Sequence, residues 1–217
     1  MRSHFEKYHV CLFLDAMKKK TNVHLWPYMA VVIVNELGEA HPVIESVMMT
    51  EVDTDYQFLV KSMFEMAPNV KPDQVRVVFA DQFFTTKILR TVGFPAAKLF
   101  YDHYHLGLNQ KKLLGPAVYS KATYLLKALL NATSERQYDR YRESLLKNFP
   151  GNAKLVELMN KYDNMRHMIA AYEIDSSLGS FMRRGSSPSE QNHSSVVSFI
   201  GREFSGELIE LLSVLLE

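Results

Sequence analysis

The order of apolar and polar residues predicts three strands near the start of the chain. An apolar run covers residues 9–15, and a continuous β-branched run covers residues 27–34, as in a strand buried on both faces. Residues 35–39 have the composition of a hairpin turn, in which Gly38 is free to take a positive φ. Residues 40–49 then return as a third strand. Short links between successive strands predict an antiparallel meander.

After the third strand, the spacing of apolar residues changes to a helical period. Asp53 and Asp55 offer an N-cap, and an apolar stripe follows at Phe58, Leu59, Met63 and Met66. The next elements predicted are a strand, a helix and a strand, at residues 75–80, 82–91 and 97–101. The pattern therefore predicts the order βββαβαβ.

A long helical region is predicted at residues 110–182. Ser134 and Gln137 have the spacing of a capping box, and Asn152 is suited to cap the next helix. Apolar positions at helical spacing follow each cap: Tyr138, Tyr141 and Leu145 after the first, and Leu155, Leu158, Met159 and Tyr162 after the second. We interpret this region as a helical insertion between the fifth strand and a late helix.

The element order limits the choice of fold. An α/β protein with the order βββαβαβ and a mixed five-stranded sheet fits few architectures, and the ribonuclease H-like fold is the leading candidate. We expect residues 1–217 to form a single such core with the insertion inside it. A leucine-rich helix predicted at residues 208–216 runs to the last residues, which suggests a piece of a longer protein.

Composition narrows the class of protein. Hydrophobic residues make up 47% of the chain and charged residues 23%, as in ordinary globular proteins, and the net charge of +1 lacks the basic excess of a dedicated nucleic-acid binder. Cys11 is the single cysteine, which excludes an intrachain disulfide and a cysteine-based zinc finger. The single cysteine fits a reducing interior and the sequence begins with no recognisable signal peptide, so we expect an intracellular protein. No apolar run approaches the length of a membrane helix, so we expect no membrane contact.

Three acidic residues are the strongest candidates for chemistry. Asp15 ends the first apolar run, Asp81 ends the fourth predicted strand, and Glu190 begins a late helix. A carboxylate at the end of a buried strand is costly unless something compensates its charge. In the expected fold, the ends of the first and fourth strands lie side by side. Three converging carboxylates would bind hard divalent cations, which prefer oxygen ligands.

Each acid also has a purely structural interpretation. Asp15 would start a turn, and Asp81 would be the N-cap of the helix predicted at residues 82–91. Glu190 stands at the fourth position of a capping box that begins at Ser187, so it would serve its own helix start. The helical period nevertheless places Glu190 on the same side as Val197 and Phe204, which is the apolar face.

Several segments resemble the catalytic domain of Mutator-like (MULE) transposases. The resemblance covers residues 8–201 and is carried by segments at residues 12–16, 49–54, 78–81, 97–106 and 189–195. It implies a DDE acid triad of Asp15, Asp81 and Glu190 on a ribonuclease H-like fold. It also implies cleavage of DNA at transposon ends, transfer of the 3′-OH to target DNA, a homo-oligomer, and a nuclear location in a eukaryote.

The proposed chemistry uses two Mg²⁺ or Mn²⁺ ions. Asp15 would bridge both ions, while Asp81 and Glu190 would each bind one. One ion would activate a water and the other would stabilise the leaving 3′ oxygen.

Other polar residues are candidates for DNA contact. The family carries a Cys-x-x-His motif, and this chain has Asp102 at the position of the cysteine, followed by His105. His105 and His193 are candidates for contact with DNA, and so are the consecutive cations Lys18, Lys19 and Lys20, because phosphate contacts supply most non-specific affinity.

Three other functions stay open at this stage. A domesticated, non-catalytic relative would use the fold to bind DNA or regulate transcription. A different ribonuclease H-like nuclease would share the acids but cut another substrate. An unrelated α/β protein would use the acids only as caps and turns. Divalent-metal binding and a panel of nucleic-acid substrates separate these classes.

Overall fold

The computed structural model describes residues 2–17 and 26–174. These residues fall into two compact units, the first formed by residues 2–17 and 26–99 and the second by residues 100–174. Glu190, His193, Lys18, Lys19 and Lys20 lie outside the described residues, as do residues 175–182 of the expected insertion.

The first unit contains the predicted succession of strands and helices. Its elements are α1 (Arg2–Tyr8), β1 (Cys11–Met17), β2 (Tyr28–Val34), β3 (Ala40–Val47), α2 (Asp53–Met66), a 3-10 turn (Pro72–Gln74), β4 (Val77–Ala80) and α3 (Thr86–Val92). The fifth strand, β5 (Lys98–Tyr101), spans the boundary between the two units. The predicted order βββαβαβ is confirmed, with one additional short helix in front of β1.

The five strands form one mixed sheet in the order β3-β2-β1-β4-β5. β1 pairs antiparallel with β2 and parallel with β4, and β2 pairs antiparallel with β3. Every residue of β2 is buried, which agrees with its unbroken apolar sequence. Gly38 turns the β2–β3 hairpin with a φ of 83°, as predicted. The α/β class with a mixed five-stranded sheet is therefore confirmed.

The buried face of α2 differs from the predicted stripe. Leu59 and Met63 are buried as expected, but Phe58 is 62% exposed and Met66 is 46% exposed. Tyr56 and Val60 occupy the buried face instead. The predicted N-cap at Asp53 or Asp55 is also wrong, because Val52 is the N-cap residue. The side chain of Asp55 accepts a hydrogen bond from the backbone N–H of Val52.

The helix after β4 begins later than its sequence predicts. α3 starts at Thr86 rather than at residue 82, and the hydroxyl of Thr85 caps it by accepting from Ile88 N at 3.2 Å. Gly93 ends the helix with a φ of 123°. The interpretation of Asp81 as the cap of this helix is therefore wrong, and its side chain has a different local role.

The second unit is helical in its described part. After β5 it contains α4 (His103–Leu114), α5 (Pro116–Leu130), α6 (Glu135–Asn148), α7 (Ala153–Asn164), α8 (Arg166–Ile169) and a 3-10 turn (Ala171–Glu173). The helical region thus begins at His103, before the predicted residue 110. Among the described residues, no helix is long and apolar enough to cross a membrane.

Local capping chemistry defines two of these helices as predicted. Ser134 Oγ accepts from Gln137 N at 3.3 Å, and Asn152 Oδ1 accepts from Leu155 N at 3.0 Å. The return bond of the first cap goes from Thr133 N to Gln137 Oε1, one residue earlier than in a standard capping box. The predicted buried face of α7 is confirmed at Leu155, Leu158, Met159 and Tyr162. On α6, Tyr138 and Leu145 are buried, whereas Tyr141 is only half-buried.

Candidate functional site

The pairing of β1 with β4 brings two of the predicted acids together. The parallel register matches Cys11 with Val77 and Phe13 with Phe79. Asp15 lies two residues after Phe13, and Asp81 lies two residues after Phe79. The same register continued by two residues would therefore place Asp81 opposite Asp15. Neighbouring strands lie about 4.8 Å apart, so a continued register would bring these two residues close to each other.

A stacked pair of phenylalanines lies directly before the two acids. The rings of Phe13 and Phe79 are 4.7 Å apart and nearly parallel, at 9°. Side chains at positions i and i+2 of a strand point to the same face, so Phe13 and Asp15 share one face of the sheet. The stack fixes the relative position of the strands where the carboxylates emerge.

Asp15 belongs to β1 and is only 6% exposed. Its Oδ1 accepts a hydrogen bond from the backbone N–H of Ala16 at 2.8 Å. A carboxylate in such a buried position requires compensation from donors or cations. The interpretation of Asp15 as a strand-end residue that starts a turn is wrong, because β1 continues to Met17.

Asp81 is held by a tight turn immediately after β4. Its Oδ1 accepts from Phe83 N at 2.7 Å, and its carbonyl oxygen accepts from Phe84 N at 3.2 Å. This is the arrangement in which an aspartate side chain replaces a backbone acceptor and closes a turn two residues on. The turn fixes the carboxylate at the end of β4, ahead of the helix.

Tyr56 is the residue that links the two acids to α2, and the sequence did not identify it. Its side chain is 1% exposed, its ring packs edge-on against Phe84 with centroids 4.8 Å apart, and its hydroxyl donates to Glu51 Oε1 at 3.2 Å. Burial raises the pKa of Tyr56, and the charges of Glu51, Asp15 and Asp81 raise it further. The phenol therefore lies within electrostatic range of all three carboxylates.

A tyrosine on the buried face of a helix needs a polar partner for its hydroxyl, so Tyr56 is a weak indication in the sequence of a polar group nearby. Glu51 gives no such indication, because one acid among several at a helix start is ordinary. The effect of the charges of Asp15 and Asp81 on Tyr56 depends on the packing of α2, which local sequence does not show.

The other described candidates, Asp102 and His105, belong to the second unit and have local contacts there. Asp102 caps α4 by accepting from Tyr104 N at 2.7 Å and is 6% exposed. The ring of His105 packs edge-on against Tyr104 at 5.6 Å, while His103 donates through Nε2 to the carbonyl of Ile169 at 2.8 Å. Burial lowers the pKa of His103, which favours its neutral form. Asp102 therefore has a capping role in the second unit.

The described residues supply some ligands for a metal ion but not a complete set. Within residues 2–17 and 26–174, no three His, Cys, Asp or Glu side chains are grouped so that they would hold a metal ion. Asp15 and Asp81 supply carboxylate oxygens, the ligand type that Mg²⁺ and Mn²⁺ prefer, so this pair fits as two members of a site with an additional ligand. Burial raises the pKa of Cys11 and keeps it a thiol, a form that does not bind metals.

Comparison with protein-family models finds no model that matches this chain, and comparison with curated protein sequences finds no significant match.

Proposed function

We propose that this chain is the catalytic core of a DDE-type DNA transposase of the Mutator-like kind, on a ribonuclease H-like fold. One observation carries the proposal. A central strand, β1, pairs in parallel with β4 as far as Phe13 and Phe79, and the same register continued by two residues would bring Asp15 and Asp81 side by side. The strand order β3-β2-β1-β4-β5 supports the same fold, and a buried acid within a central strand, Asp15, is more typical of a functional site than of a structural role.

The chain's own residues contribute positioning. Ala16 N–H and Phe83 N–H each bind one oxygen of the two acids, which fixes the orientation of both carboxylates before any substrate arrives. Tyr56, donating to Glu51, holds a neutral phenol beside them. Such prearranged groups lower the barrier because little reorganisation remains for the reaction step.

Two adjacent carboxylates repel a phosphodiester, so the pair would act on DNA through bound cations. Mg²⁺ or Mn²⁺ would be held by Asp15 and Asp81, with Glu190 as the proposed third acid, and would supply charge neutralisation at the scissile phosphate and a more acidic attacking water. We propose that the substrates are transposon ends and target DNA, and that two copies of the chain act together.

Cleavage of labelled DNA tests the proposal. Purified chain is incubated with end-labelled duplex DNA in Mg²⁺ or Mn²⁺, and nicking and strand transfer are followed on denaturing gels. We expect Asp15→Asn, Asp81→Asn and Glu190→Gln each to lower cleavage by at least about a thousandfold, because each removes one charged ligand.

Asp73→Asn is the matched control, because Asp73 is an exposed aspartate of the same unit and lies in the 3-10 turn. Thermal unfolding of each variant verifies that the fold is retained. Full cleavage by the Asp15→Asn, Asp81→Asn double variant would refute the proposal. Wild-type binding of DNA without any metal-dependent cleavage would instead identify a domesticated, non-catalytic relative. Preference for an RNA–DNA hybrid over duplex DNA would identify a different nuclease.

A further inference from the structure

The second unit contains a stretch that has basic residues but no acidic ones. Residues 103–134, which form α4 and α5 with their connections, contain four lysines and no aspartate or glutamate. The ion pairs of this unit lie on the later helices: Arg142 with Asp163 at 2.7 Å, and Arg166 with Glu135 at 3.0 Å and Asp139 at 2.8 Å. The net charge of the whole chain conceals this local positive charge.

The exposed side of α5 concentrates this charge around an aromatic ring. Its buried residues are Ala122, Leu126, Leu129 and Leu130. At about 100° per residue, Tyr124 lies opposite the centre of that buried side, and it is 76% exposed. Lys121 and Lys127 are exposed one turn before and one turn after it. We call Lys121, Tyr124 and Lys127 the α5 basic face.

Two further lysines extend the positive region toward the start of α5. Lys111 and Lys112 are exposed in the last turn of α4, and Gly115 then turns the chain into α5 with a φ of 77°. In the described part of the chain, no carboxylate forms an ion pair with any of the four lysines. Their charges are therefore directed to solvent.

From this arrangement we infer that the α5 basic face binds the phosphodiester backbone of a nucleic-acid strand. Lysines bind phosphates as point charges, and an exposed tyrosine between them either stacks on an unpaired base or donates its hydroxyl to a phosphate. Lys121 and Lys127 are separated by about 9 Å along the helix axis, so they would contact different phosphates. The identification of the ligand as DNA rests on the proposed function.

The test is equilibrium binding of fluorescent DNA to the full chain carrying Asp15→Asn and Asp81→Asn, in EDTA, so that cleavage plays no part. The Lys121→Glu, Lys127→Glu pair is compared with Lys147→Glu, Lys154→Glu, which makes the same charge change at exposed positions of α6 and α7. We expect Lys121→Glu, Lys127→Glu to weaken DNA binding by about tenfold or more. We also expect the slope of log K against log [salt] to fall in magnitude by about two.

Equal effects of the two charge reversals, or no effect of either, would overturn the inference. Tyr124→Phe and Tyr124→Ala separate the two roles of the ring on single-stranded and duplex DNA. If only Tyr124→Ala weakens binding, and only to single-stranded DNA, the ring stacks on a base. If Tyr124→Phe weakens binding to duplex DNA, the hydroxyl contacts a phosphate. If neither variant weakens binding, the ring has no role. Loss of binding to phosphatidylserine vesicles but not to DNA would also overturn the inference.

Failure of this inference is distinguishable from failure of the proposed function. A chain that binds DNA through the α5 basic face but cleaves nothing refutes the catalytic proposal alone. A chain that cleaves DNA with unchanged affinity after Lys121→Glu, Lys127→Glu refutes this inference alone.

Discussion

Tyr56→Phe is the most informative perturbation of the region around the two acids. The substitution removes one oxygen and keeps the ring, so the edge-on contact with Phe84 at 4.8 Å is retained. What is lost is the hydrogen bond from the hydroxyl to Glu51 Oε1 at 3.2 Å. The experiment therefore isolates a single polar contact between the start of α2 and its buried face.

The expected loss follows from the geometry. Hydrogen bonds to charged groups contribute about 1.5–3 kcal/mol, and this bond is longer than the usual O–H···O⁻ contact, which places it at the low end. We therefore expect Tyr56→Phe to lower the free energy of unfolding by about 1.5 kcal/mol. Tyr124→Phe is the matched control, because Tyr124 is 76% exposed, and its effect should stay within about 0.5 kcal/mol.

A double-mutant cycle in urea unfolding assigns the loss to its partner. Tyr56→Phe, Glu51→Gln and the double variant are measured together, and a coupling of about 1 kcal/mol is expected because each residue acts through the other. A coupling below about 0.3 kcal/mol would show that the hydroxyl and the carboxylate do not interact. The hydrogen bond assigned to Tyr56 and Glu51 would then be wrong.

Two further predictions concern the scaffold. Gly93→Ala should destabilise the chain by about 1–3 kcal/mol, because Gly93 has a φ of +123° and the new Cβ would lie 3.0 Å from Val60 Cγ1. Gly38→Ala should destabilise it less, because the new Cβ there would meet open space. Equal losses of stability in thermal unfolding would refute the close contact with Val60. Tyr162 accepts a hydrogen bond from Gln110 Nε2 at 2.7 Å, and burial raises its pKa. Because the folded pKa lies above the unfolded value, its contribution to stability is complete below about pH 10 and is lost as pH rises further. Tyr162→Phe should therefore lower stability at neutral pH and flatten its decline above pH 10, by up to about 1.4 kcal/mol per pH unit; an unchanged alkaline slope would contradict the assignment.

Elements with strong local signals were predictable from the sequence. The meander of β1 to β3 follows from continuous apolar runs and the positive φ of Gly38, at 83°. The caps at Ser134 and Asn152 depend on hydrogen bonds within three residues, so local sequence determines them. Asp15 and Asp81 are identifiable from the sequence because each is an acid at the end of an apolar run.

Features that depend on packing between elements were not predictable. Hydropathy ranks Phe58 and Met66 as core residues, yet the arc of α2 that is buried contains Tyr56 and Val60. The start of α3 was predicted too early because Asp81 and Thr85 are both good caps. Asp81 instead closes a turn with Phe83, which leaves the cap to Thr85.

We propose that Asp15, within β1, and Asp81, directly after β4, hold divalent cations. The most direct measurement is anomalous diffraction from a crystal of the chain soaked in Mn²⁺. We expect anomalous peaks within about 2.0–2.6 Å of carboxylate oxygens of both Asp15 and Asp81, with Glu190 as an additional ligand. Mn²⁺ bound elsewhere, or at neither aspartate at saturating concentration, would contradict the proposal.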